Sequence, residues 1–450
     1  MKRNFTVKSF SFSLLFFLII SLPSFAQEIK IDAQLRPRGE MRHGVFSLVD
    51  KDQDAIFGVT QRARINFHYD SEKIKIGFSV QDVRTWGDTQ QAALNDGART
   101  AIARAWAEVF FLPSFSLKLG RQAISYDDER IFGALDWANQ GRFHDAGIFR
   151  FSKNGFKADL GLAFNRNSQA FGTPVDGDVD SYYNVNNYKN MQYLWLHKDW
   201  ETLKLSLLFI NNGYQASNVN ANNTVTDSTN VYTQTYGFYL EKEIGNLDID
   251  VSFYIQSGED RVAQNNVWVP RDVSAYLWAI WLKYHFTKKF NVHIGSDYLS
   301  GTELNGNETK NKSFNPSFGT NHKFYGIMDY FYAGNGHRNV GLWDAHIGAG
   351  YTFSKKFKAD LTVHNFTSTA QILQSVGGAK EDDQLGTEFD LTFGYNPTKG
   401  VAIIGGYSQM VASTTMETLK GGDSNATQNW LWAQVNINPT IFKWKKKKEK

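Results

Sequence analysis

Hydrophobic and polar residues alternate one by one along much of this chain. In residues 28–42 the even positions are charged except for one glutamine, and the odd positions are mostly apolar. The same period of two recurs in residues 62–69, 247–256 and 388–395. Because successive side chains of a β-strand point to opposite faces, this pattern predicts strands with one apolar and one polar face.

Short and long connections alternate between these predicted strands. The short turns follow strands that end near positions 69, 111, 151, 199, 243, 286, 353 and 395. The long polar loops lie at residues 43–58, 85–99, 126–138, 165–189, 212–230, 258–272, 301–340, 367–384 and 411–426. The segments between connections run for about 9–14 residues, which is longer than an ordinary globular strand and sufficient to cross a bilayer at a tilt.

These features predict an all-β fold, a transmembrane antiparallel β-barrel of about 18 strands with short periplasmic turns and long extracellular loops. In lipid every backbone N–H and C=O group must be paired within the protein, so the sheet has to close. A soluble β-sandwich would also alternate, but it has no reason to keep its short turns on one side. We assign residues 27–442 to the barrel, with no second domain, and expect aromatic girdles at the membrane interfaces from Tyr69, Trp86, Trp200, Trp278, Tyr284, Tyr351 and Tyr395.

Both chain ends differ from the barrel in composition. Residues 1–26 begin with Lys2, Arg3 and Lys8, continue with an apolar stretch at 10–22, and end in the small residues before Gln27. This order predicts a secretory signal peptide cleaved after Ala26, the alternative being a membrane anchor. Residues 443–450 contain six lysines and are predicted to be a basic periplasmic tail, either solvated or in contact with anionic material.

Composition excludes several classes of protein. The chain has no cysteine, which rules out disulfides and thiolate metal sites, and its 15% aromatic content rules out disorder. No apolar run long enough for a transmembrane helix follows residue 26. The net charge of +3 comes from the leader and the tail, so it does not indicate a nucleic-acid partner. Enzyme motifs are missing, and the ten histidines are scattered, four of them on predicted lumen positions: His68, His293, His346 and His364.

One segment has the beginning of a calcium-binding loop. Asp176, Asp178 and Asp180 have the spacing of the first three ligands, but Ser181 and Asn187 replace the expected glycine and glutamate. A solvated, acidic external loop is the alternative. We therefore predict no resident metal and no cofactor.

Arginine is concentrated early in the chain, where 12 of 17 arginines lie between Arg36 and Arg150. Seven cations fall on the polar face of the early strands: Arg36, Arg38, Arg42, Arg62, Arg64, Lys75 and Arg104. Guanidinium groups bind carboxylates in pairs of hydrogen bonds and stay charged, so such a wall can pass an anion from one cation to the next. The alternative is that acids on the same strands pair with these cations and that both only brace the wall. Those acids are Asp32, Glu40 and Glu108.

Two further features concern the interior of the predicted barrel. Acidic residues on the polar face of the late strands would give the lumen an opposite wall of negative charge: Asp248, Asp250, Asp344, Asp360, Glu388 and Asp390. The second half of loop 301–340, from Phe314 to Tyr332, is unusually aromatic. We expect it to pack over or into the lumen, the alternative being an extra strand pair that would raise the count to twenty.

The chain resembles the alginate export family of outer-membrane porins. The resembling segments are LRPRGEMR (35–42), QRARINFHY (61–69), QDVRTWGD (81–88), GRQAISYDDERIFG (120–133), RFHDAGIFRF (142–151), NPSFGTNHKFYGIMDYF (315–331) and LGTEFDLTFGY (385–395). The resemblance implies an eighteen-stranded monomeric barrel with an arginine-rich pore. By position, that role falls on Arg36, Arg38, Arg62, Arg64 and Arg104, and also on Arg121 and Arg130.

Together these observations predict a porin embedded in outer-membrane lipid. It would let an anionic solute, such as an acidic oligosaccharide or polysaccharide of the alginate type, diffuse through an arginine-lined lumen without covalent chemistry. The alternatives are a porin of broad specificity and a structural or adhesive barrel that is plugged by its own loops.

Overall fold

A computed structural model shows a single closed β-barrel. The structure describes residues 27–89, 100–165, 188–220, 225–264, 267–333 and 339–446. The predicted signal peptide, residues 1–26, and the calcium-loop candidates Asp176, Asp178 and Asp180 lie outside these residues.

The described chain is almost entirely β-structure. The strands are β1 (Gln27–His43), β2 (Ile56–Ser71), β3 (Ile74–Thr85), β4 (Thr100–Leu112), β5 (Phe115–Gln122), β6 (His144–Lys153), β7 (Phe156–Phe164), β8 (Asn190–Asp199), β9 (Leu203–Val219), β10 (Val225–Ile244), β11 (Leu247–Gln264), β12 (Val267–His285), β13 (Phe290–Leu299), β14 (Leu342–Thr352), β15 (Phe357–Thr367), β16 (Gln384–Thr398), β17 (Val401–Ala412), β18 (Gln428–Ile437) and β19 (Thr440–Lys445). A short helix, α1 (Thr414–Lys420), lies between β17 and β18. Among the described residues, no helix is long and apolar enough to cross a membrane.

Each strand from β1 to β17 pairs antiparallel with the next in the chain, and β1 closes the sheet by pairing with both β18 and β19. Ile437 of β18 lies opposite Leu35 and Thr440 of β19 lies opposite Asp32, so β18 and β19 follow the same edge of β1. Pro439, which has no N–H group to donate, stands between them. The two segments therefore form one interrupted strand, and the predicted barrel of eighteen antiparallel strands is confirmed.

The lysine-rich C-terminus begins as structure rather than as a free tail. Lys443 and Lys445 belong to β19, and the Nζ of Lys443 lies 3.0 Å from the Glu28 carboxylate of β1. The physical reason is that β1 runs from Gln27 while its pairing with β18 stops at Leu35, which leaves a free edge on β1 for residues 440–445. Residues 447–450 lie outside the described part of the chain.

The two faces of the sheet differ as the alternation predicted. Large apolar side chains are exposed on the outside, although most residues of their type are buried in water-soluble proteins. Examples from strands around the barrel are Leu35, Ile65, Phe78, Leu160, Leu207, Ile294, Ile347, Leu361, Leu391 and Leu431. Their polar neighbours face inward. This arrangement fits an outer surface that contacts lipid acyl chains.

Aromatic residues gather at both ends of this apolar surface. Near the long-loop end, Trp278 stacks on Tyr298 with ring centroids 5.6 Å apart, and Trp343 lies opposite Tyr298 on the next strand. At the short-turn end, Tyr284 and Tyr351 are exposed and each contacts a neighbouring phenylalanine at 4.8 Å. Such belts form where amphipathic rings meet the membrane–water interface.

Two of the nine predicted long loops are mostly strand. Residues 212–230 and 258–272 extend β9 to β12, whose lengths reach 17, 20, 18 and 19 residues. In each stretch the two strands stay paired well beyond the length needed to cross the membrane, as in Val225 opposite Val219 and Val267 opposite Gln264. They rise as paired hairpins beyond the neighbouring strands.

Two other connections fold into the lumen: the β5–β6 loop (residues 123–143) and the β13–β14 loop (residues 300–341, described at 300–333 and 339–341). The described part of the second loop has only one regular element, a 3₁₀ turn at Asn321–Lys323, so the prediction of an extra strand pair is wrong there. Its aromatic half is buried, including Phe314, Tyr325 and Phe331 at 0–1% exposure. The predicted inward packing of this loop is confirmed.

The two inward loops form one body. Phe318 bonds through its backbone to Ile131 and Gly133, at 3.0 and 2.8 Å, and its ring stacks on Phe132 at 5.4 Å. Gly319 permits this approach, since a Cβ there would lie 2.3 Å from the carbonyl oxygen of Arg130. We call this body the plug.

Candidate channel lumen

The arginine wall is built by the first two strands, which place cations directly opposite one another. Arg36 on β1 faces Arg62 on β2 in the strand register. Two guanidinium groups in these positions repel each other unless an anion lies close to both. Asp136 of the β5–β6 loop supplies that anion, at 3.5 Å from Arg36 and 2.9 Å from Arg62. Both arginines are buried, so they anchor the plug to the wall instead of facing open water.

One glutamate serves the next two arginines of β1. Glu40 accepts hydrogen bonds from Arg38 at 2.5 Å and from the Nε of Arg42 at 2.7 Å. The Arg38 guanidinium also lies 4.1 Å from the centre of the Trp137 ring and donates to the Trp137 carbonyl oxygen at 3.0 Å. Pairing with acids therefore braces part of the wall, as the alternative predicted. Because Arg38 and Arg42 share the single carboxylate of Glu40, one positive charge remains in excess.

Three further cations of the predicted set surround one aromatic ring. The guanidinium carbons of Arg64, Arg104 and Arg121 lie 5.8, 5.6 and 5.8 Å from the centre of the Phe143 ring. Arg64 donates to the neutral amide of Gln81 at 2.6 Å. The Phe143 ring and the Gln81 amide carry no negative charge, so these two contacts do not neutralise the charge of Arg64.

Two cations of the predicted set, Arg121 and Lys75, each pair with an acid on a neighbouring strand. Arg121 pairs with Asp145 at 3.0 Å, and both side chains are more than a third exposed. Lys75 lies 3.5 Å from Asp70, close to the β2–β3 turn at the periplasmic end. Exposed pairs of this kind hold their partners weakly.

Arg130 does not line open space, contrary to the role that the resemblance implied. It is 2% exposed and lies 3.0 Å from both Asp128 and Asp297. It also donates to the Tyr325 hydroxyl at 3.2 Å. Burial raises the pKa of Tyr325, which keeps that hydroxyl neutral. The physical reason for the difference is that the β5–β6 loop turns inward, so Arg130 meets the β13 wall.

The opposite side of the lumen is acidic, as the alternation predicted. The six expected carboxylates lie on β11, β14, β15 and β16: Asp248, Asp250, Asp344, Asp360, Glu388 and Asp390. Two of them hold the plug, since Glu388 accepts from the Met328 N–H at 2.8 Å and Asp390 from the Ile327 N–H at 3.3 Å. Histidines pair with others, as His293 does with Asp360 at 3.3 Å.

Two cavities lie on different sides of the plug. The first, of about 540 Å³, lies at the long-loop end and is lined by four arginines, Arg38, Arg42, Arg84 and Arg142, together with Asp88 and Asp329. The second, of about 340 Å³, is lined by four carboxylates, three histidines and two lysines, Lys283 and Lys323, and reaches Asp248 near the β10–β11 turn. The lumen thus changes from basic to acidic across the plug.

The sequence prediction missed the part that the β5–β6 loop plays in this site. Asp136, Trp137 and Asn139 of that loop bind the arginine wall, although residues 126–138 were expected to be an external loop. Arg142 was not among the predicted pore residues, yet it lines the basic cavity and donates to the Gly319 carbonyl oxygen at 2.8 Å. The sequence feature that could have indicated this inward packing is the aromatic and acidic content of residues 125–137, SYDDERIFGALDW.

A closed antiparallel barrel with an apolar outer belt and a charged, partly plugged lumen defines the class of outer-membrane porins. The sequence profile of the alginate export family matches residues 28–427, and the chain belongs to that family. Its short turns are periplasmic, its long loops are extracellular, and it resides in the outer membrane. Among curated protein sequences, none matches this chain.

Solved porin structures share the fold at low sequence identity. OccAB4 of Acinetobacter baumannii is 13% identical with a TM-score of 0.58, over 93% of this chain and 98% of that one. A BenF-like porin from Pseudomonas fluorescens Pf-5 is 10% identical with a TM-score of 0.58, over 92% and 99%. OpdK of Pseudomonas aeruginosa, solved with vanillate, is 12% identical with a TM-score of 0.54, over 92% and 99%.

Proposed function

We propose that this porin is a monomeric channel for the diffusion of small anionic solutes, with uronates and short acidic oligosaccharides of the alginate type as the substrate class. The observation that carries the proposal is the basic cavity at the extracellular end. Four arginines line it, and one of them, Arg142, bonds to a neutral carbonyl oxygen of the plug. Arginine forks recognise carboxylates in preference to neutral hydroxyl groups.

The size of the cavity narrows the substrate class. A volume of about 540 Å³ is in the range of sites that hold a small ligand. It suits one or two sugar rings better than a folded polymer, so a polyuronate would have to enter by its end. OpdK, a porin of the same fold, was solved with vanillate, which is a small carboxylate. That fact supports a carboxylate as the class of solute.

Local charge favours an anion even though the barrel as a whole is not strongly basic. Arg38 and Arg42 share Glu40, and Arg36 and Arg62 share Asp136, so cations outnumber acids on this wall. Low-dielectric walls focus the resulting field along the path. An anion that reaches the cavity therefore meets a lower barrier than a cation of equal size.

Solute-induced block of the ion current in planar bilayers tests the proposal. We expect galacturonate added at the extracellular side to block the current in a concentration-dependent way, while galactose at the same concentration has little effect. The double variant Arg42→Gln/Arg142→Gln should weaken the block by galacturonate. The control variant Arg271→Gln, which removes a cation paired with Asp260 outside the cavity, should not.

The same recordings separate the alternatives. Equal block by galactose and galacturonate, or equal block in the double variant and the wild type, would indicate a porin of broad specificity. A folded wild-type barrel that carries no current at any voltage would indicate a plugged structural barrel. Either outcome overturns the proposal.

A further inference from the structure

A compact group of histidine and aspartate side chains lies in the acidic half of the lumen, away from the basic cavity. His346 on β14 stands directly opposite His364 on β15, and Asp344 lies two residues before His346 on the same inward face. One donor atom from each side chain can be chosen so that all three lie within 4.8 Å of one another. All three side chains are buried.

The hydrogen bonds of this group are incomplete. His364 Nδ1 lies 2.9 Å from the Asp344 carboxylate, but both ring nitrogens of His346 are buried without a hydrogen-bond partner. The nearest acid to His346 is Asp344, at 3.6 Å from its Nδ1. A buried polar atom without a partner costs free energy, so a ligand that bonds to these two nitrogens would stabilise the folded state.

The charges of the group are also unbalanced. Asp344 is 0% exposed and Asp390, whose carboxylate lies 3.6 Å from His364 Nε2, is 4% exposed. The neighbouring Asp297 already has a cation, because Arg130 lies 3.0 Å from it. Buried carboxylates require a partner of opposite charge. Asp344 and Asp390 can receive one from a proton on His364 or from a bound metal ion.

A path to the group exists. The cavity of about 340 Å³ is lined by both histidines and by Asp390, and it extends to Asp248 and Asp250 toward the periplasmic end. A cation entering from the periplasm would pass Asp248 and Asp250, with Lys283 beside Asp248, before it reaches the histidines. The edge of the Trp281 ring, 4.7 Å from the His346 ring, closes one side.

We propose that Asp344, His346 and His364 form a binding site for a divalent first-row transition-metal ion such as Zn²⁺. Two imidazoles and one carboxylate are a donor set that zinc accepts, with a fourth position for water. Donor atoms of a tetrahedral zinc lie about 3.3 Å apart, and Asp344 Oδ2 lies 2.9 Å from His364 Nδ1 and 3.6 Å from His346 Nδ1. Asp390 stands beside His364 and would orient its ring, as outer-sphere carboxylates do.

The site has a structural consequence. Asp390 and the adjacent Glu388 also hold the backbone of Ile327 and Met328 in the plug. A metal ion at the histidines would reduce the repulsion among these buried carboxylates and stabilise the contact between the plug and the wall. The proposal does not depend on which solute crosses the channel.

Cobalt titration of the mature barrel in detergent, produced without a polyhistidine tag, tests the proposal. We expect one equivalent of Co²⁺ to give the visible absorption of a four- or five-coordinate ion, and one equivalent of Zn²⁺ to remove it. His346→Gln and His364→Gln should each weaken binding by at least about tenfold. Mg²⁺, which prefers oxygen ligands, should not compete.

His293→Gln is the matched control, because His293 lines the same cavity but pairs with Asp360 outside the three-residue group. It should bind Co²⁺ like the wild type. No absorption in the folded wild type, or unchanged binding in both His346→Gln and His364→Gln, overturns the proposal. If those variants do not fold, X-ray absorption of the zinc-loaded wild type decides: two imidazoles around the ion support the site, and oxygen ligands alone contradict it.

Discussion

Arg130 of the β5–β6 loop and Asp297 of β13 form a salt bridge of 3.0 Å inside the lumen, and neither side chain is more than 2% exposed. The bond fastens the plug to the wall between the basic and acidic halves. Asp297 also accepts a hydrogen bond from the Trp281 indole at 3.0 Å, which fixes the carboxylate in place. The plug is therefore held by a buried ion pair, two backbone N–H groups and the arginine wall.

Removing the cation of this pair should loosen the plug. Arg130→Met leaves the buried Asp297 and the partly exposed Asp128 without their cation, and we expect the free energy of unfolding to fall by about 3–5 kcal/mol. Channel conductance should rise, because the β5–β6 loop loses its contact with β13. The control is Arg121→Met, whose exposed pair with Asp145 should contribute about 0–1 kcal/mol. Equal stability and conductance in the two variants would contradict this role of Arg130.

Shortening the β13–β14 loop should open the channel. We expect replacement of residues 310–335 by a short Gly–Ser linker to raise single-channel conductance, because the described part of this segment, up to residue 333, packs inside the lumen. The barrel should still form, since β13 ends at Leu299 and β14 begins at Leu342. Deletion of residues 375–378 in the exposed β15–β16 loop is the control. Unchanged conductance in a folded barrel would show that the loop does not limit the path.

Lowering the pH from about 6 should stabilise the fold through Asp127 of the plug. Asp127 accepts hydrogen bonds from Ser206 at 2.5 Å and from Trp195 at 3.1 Å, and burial raises its pKa to about 6, with the neighbouring Asp128 adding to the rise and His197 opposing it. Because this pKa exceeds the unfolded value of 3.8, the folded state binds the proton more tightly. The contribution of Asp127 to stability therefore increases as pH falls from about 6 toward 3.8.

Thermal unfolding measured at several pH values checks this expectation. The difference in unfolding temperature between pH 5 and pH 7 should shrink in Asp127→Asn, which cannot titrate. The control Asp54→Asn changes an exposed acid of the β1–β2 loop and should keep the wild-type difference. An identical pH dependence in Asp127→Asn and the wild type would show that Asp127 does not contribute.

Adjacent residues of β15 should respond oppositely to a new charge. Leu361 is 47% exposed on the outer face, and Thr362 lines the acidic cavity. We expect Leu361→Arg to destabilise the barrel in lipid by about 2–4 kcal/mol, because it places a cation near the membrane midplane. Thr362→Arg should fold normally, since it faces water and carboxylates. Unfolding by urea from lipid vesicles measures both, and the reverse order would mean that the faces are exchanged.

Period-two alternation predicted the two faces and the acidic wall, because the face of a strand residue follows from its parity. Together with the rhythm of short turns and long loops, it was sufficient to predict the barrel. Parity does not give the path of a loop. For this reason the β5–β6 loop was expected outside, while the structure brings Asp136 to Arg36 and Arg62. The same limit explains Arg130, whose partner Asp297 is distant in sequence. The histidines were placed on the correct face, but their grouping depends on the register of β14 with β15.

The reversal potential of the wild-type channel across a tenfold KCl gradient tests the central claim most directly. The arginine wall should make chloride more permeable than potassium, and the preference should weaken at high salt, where screening shortens to about 3 Å at 1 M. The double variant Arg42→Gln/Arg142→Gln should move the potential toward zero. A reversal potential of the sign that indicates potassium preference in the wild type would contradict the account and leave these arginines as supports of the plug.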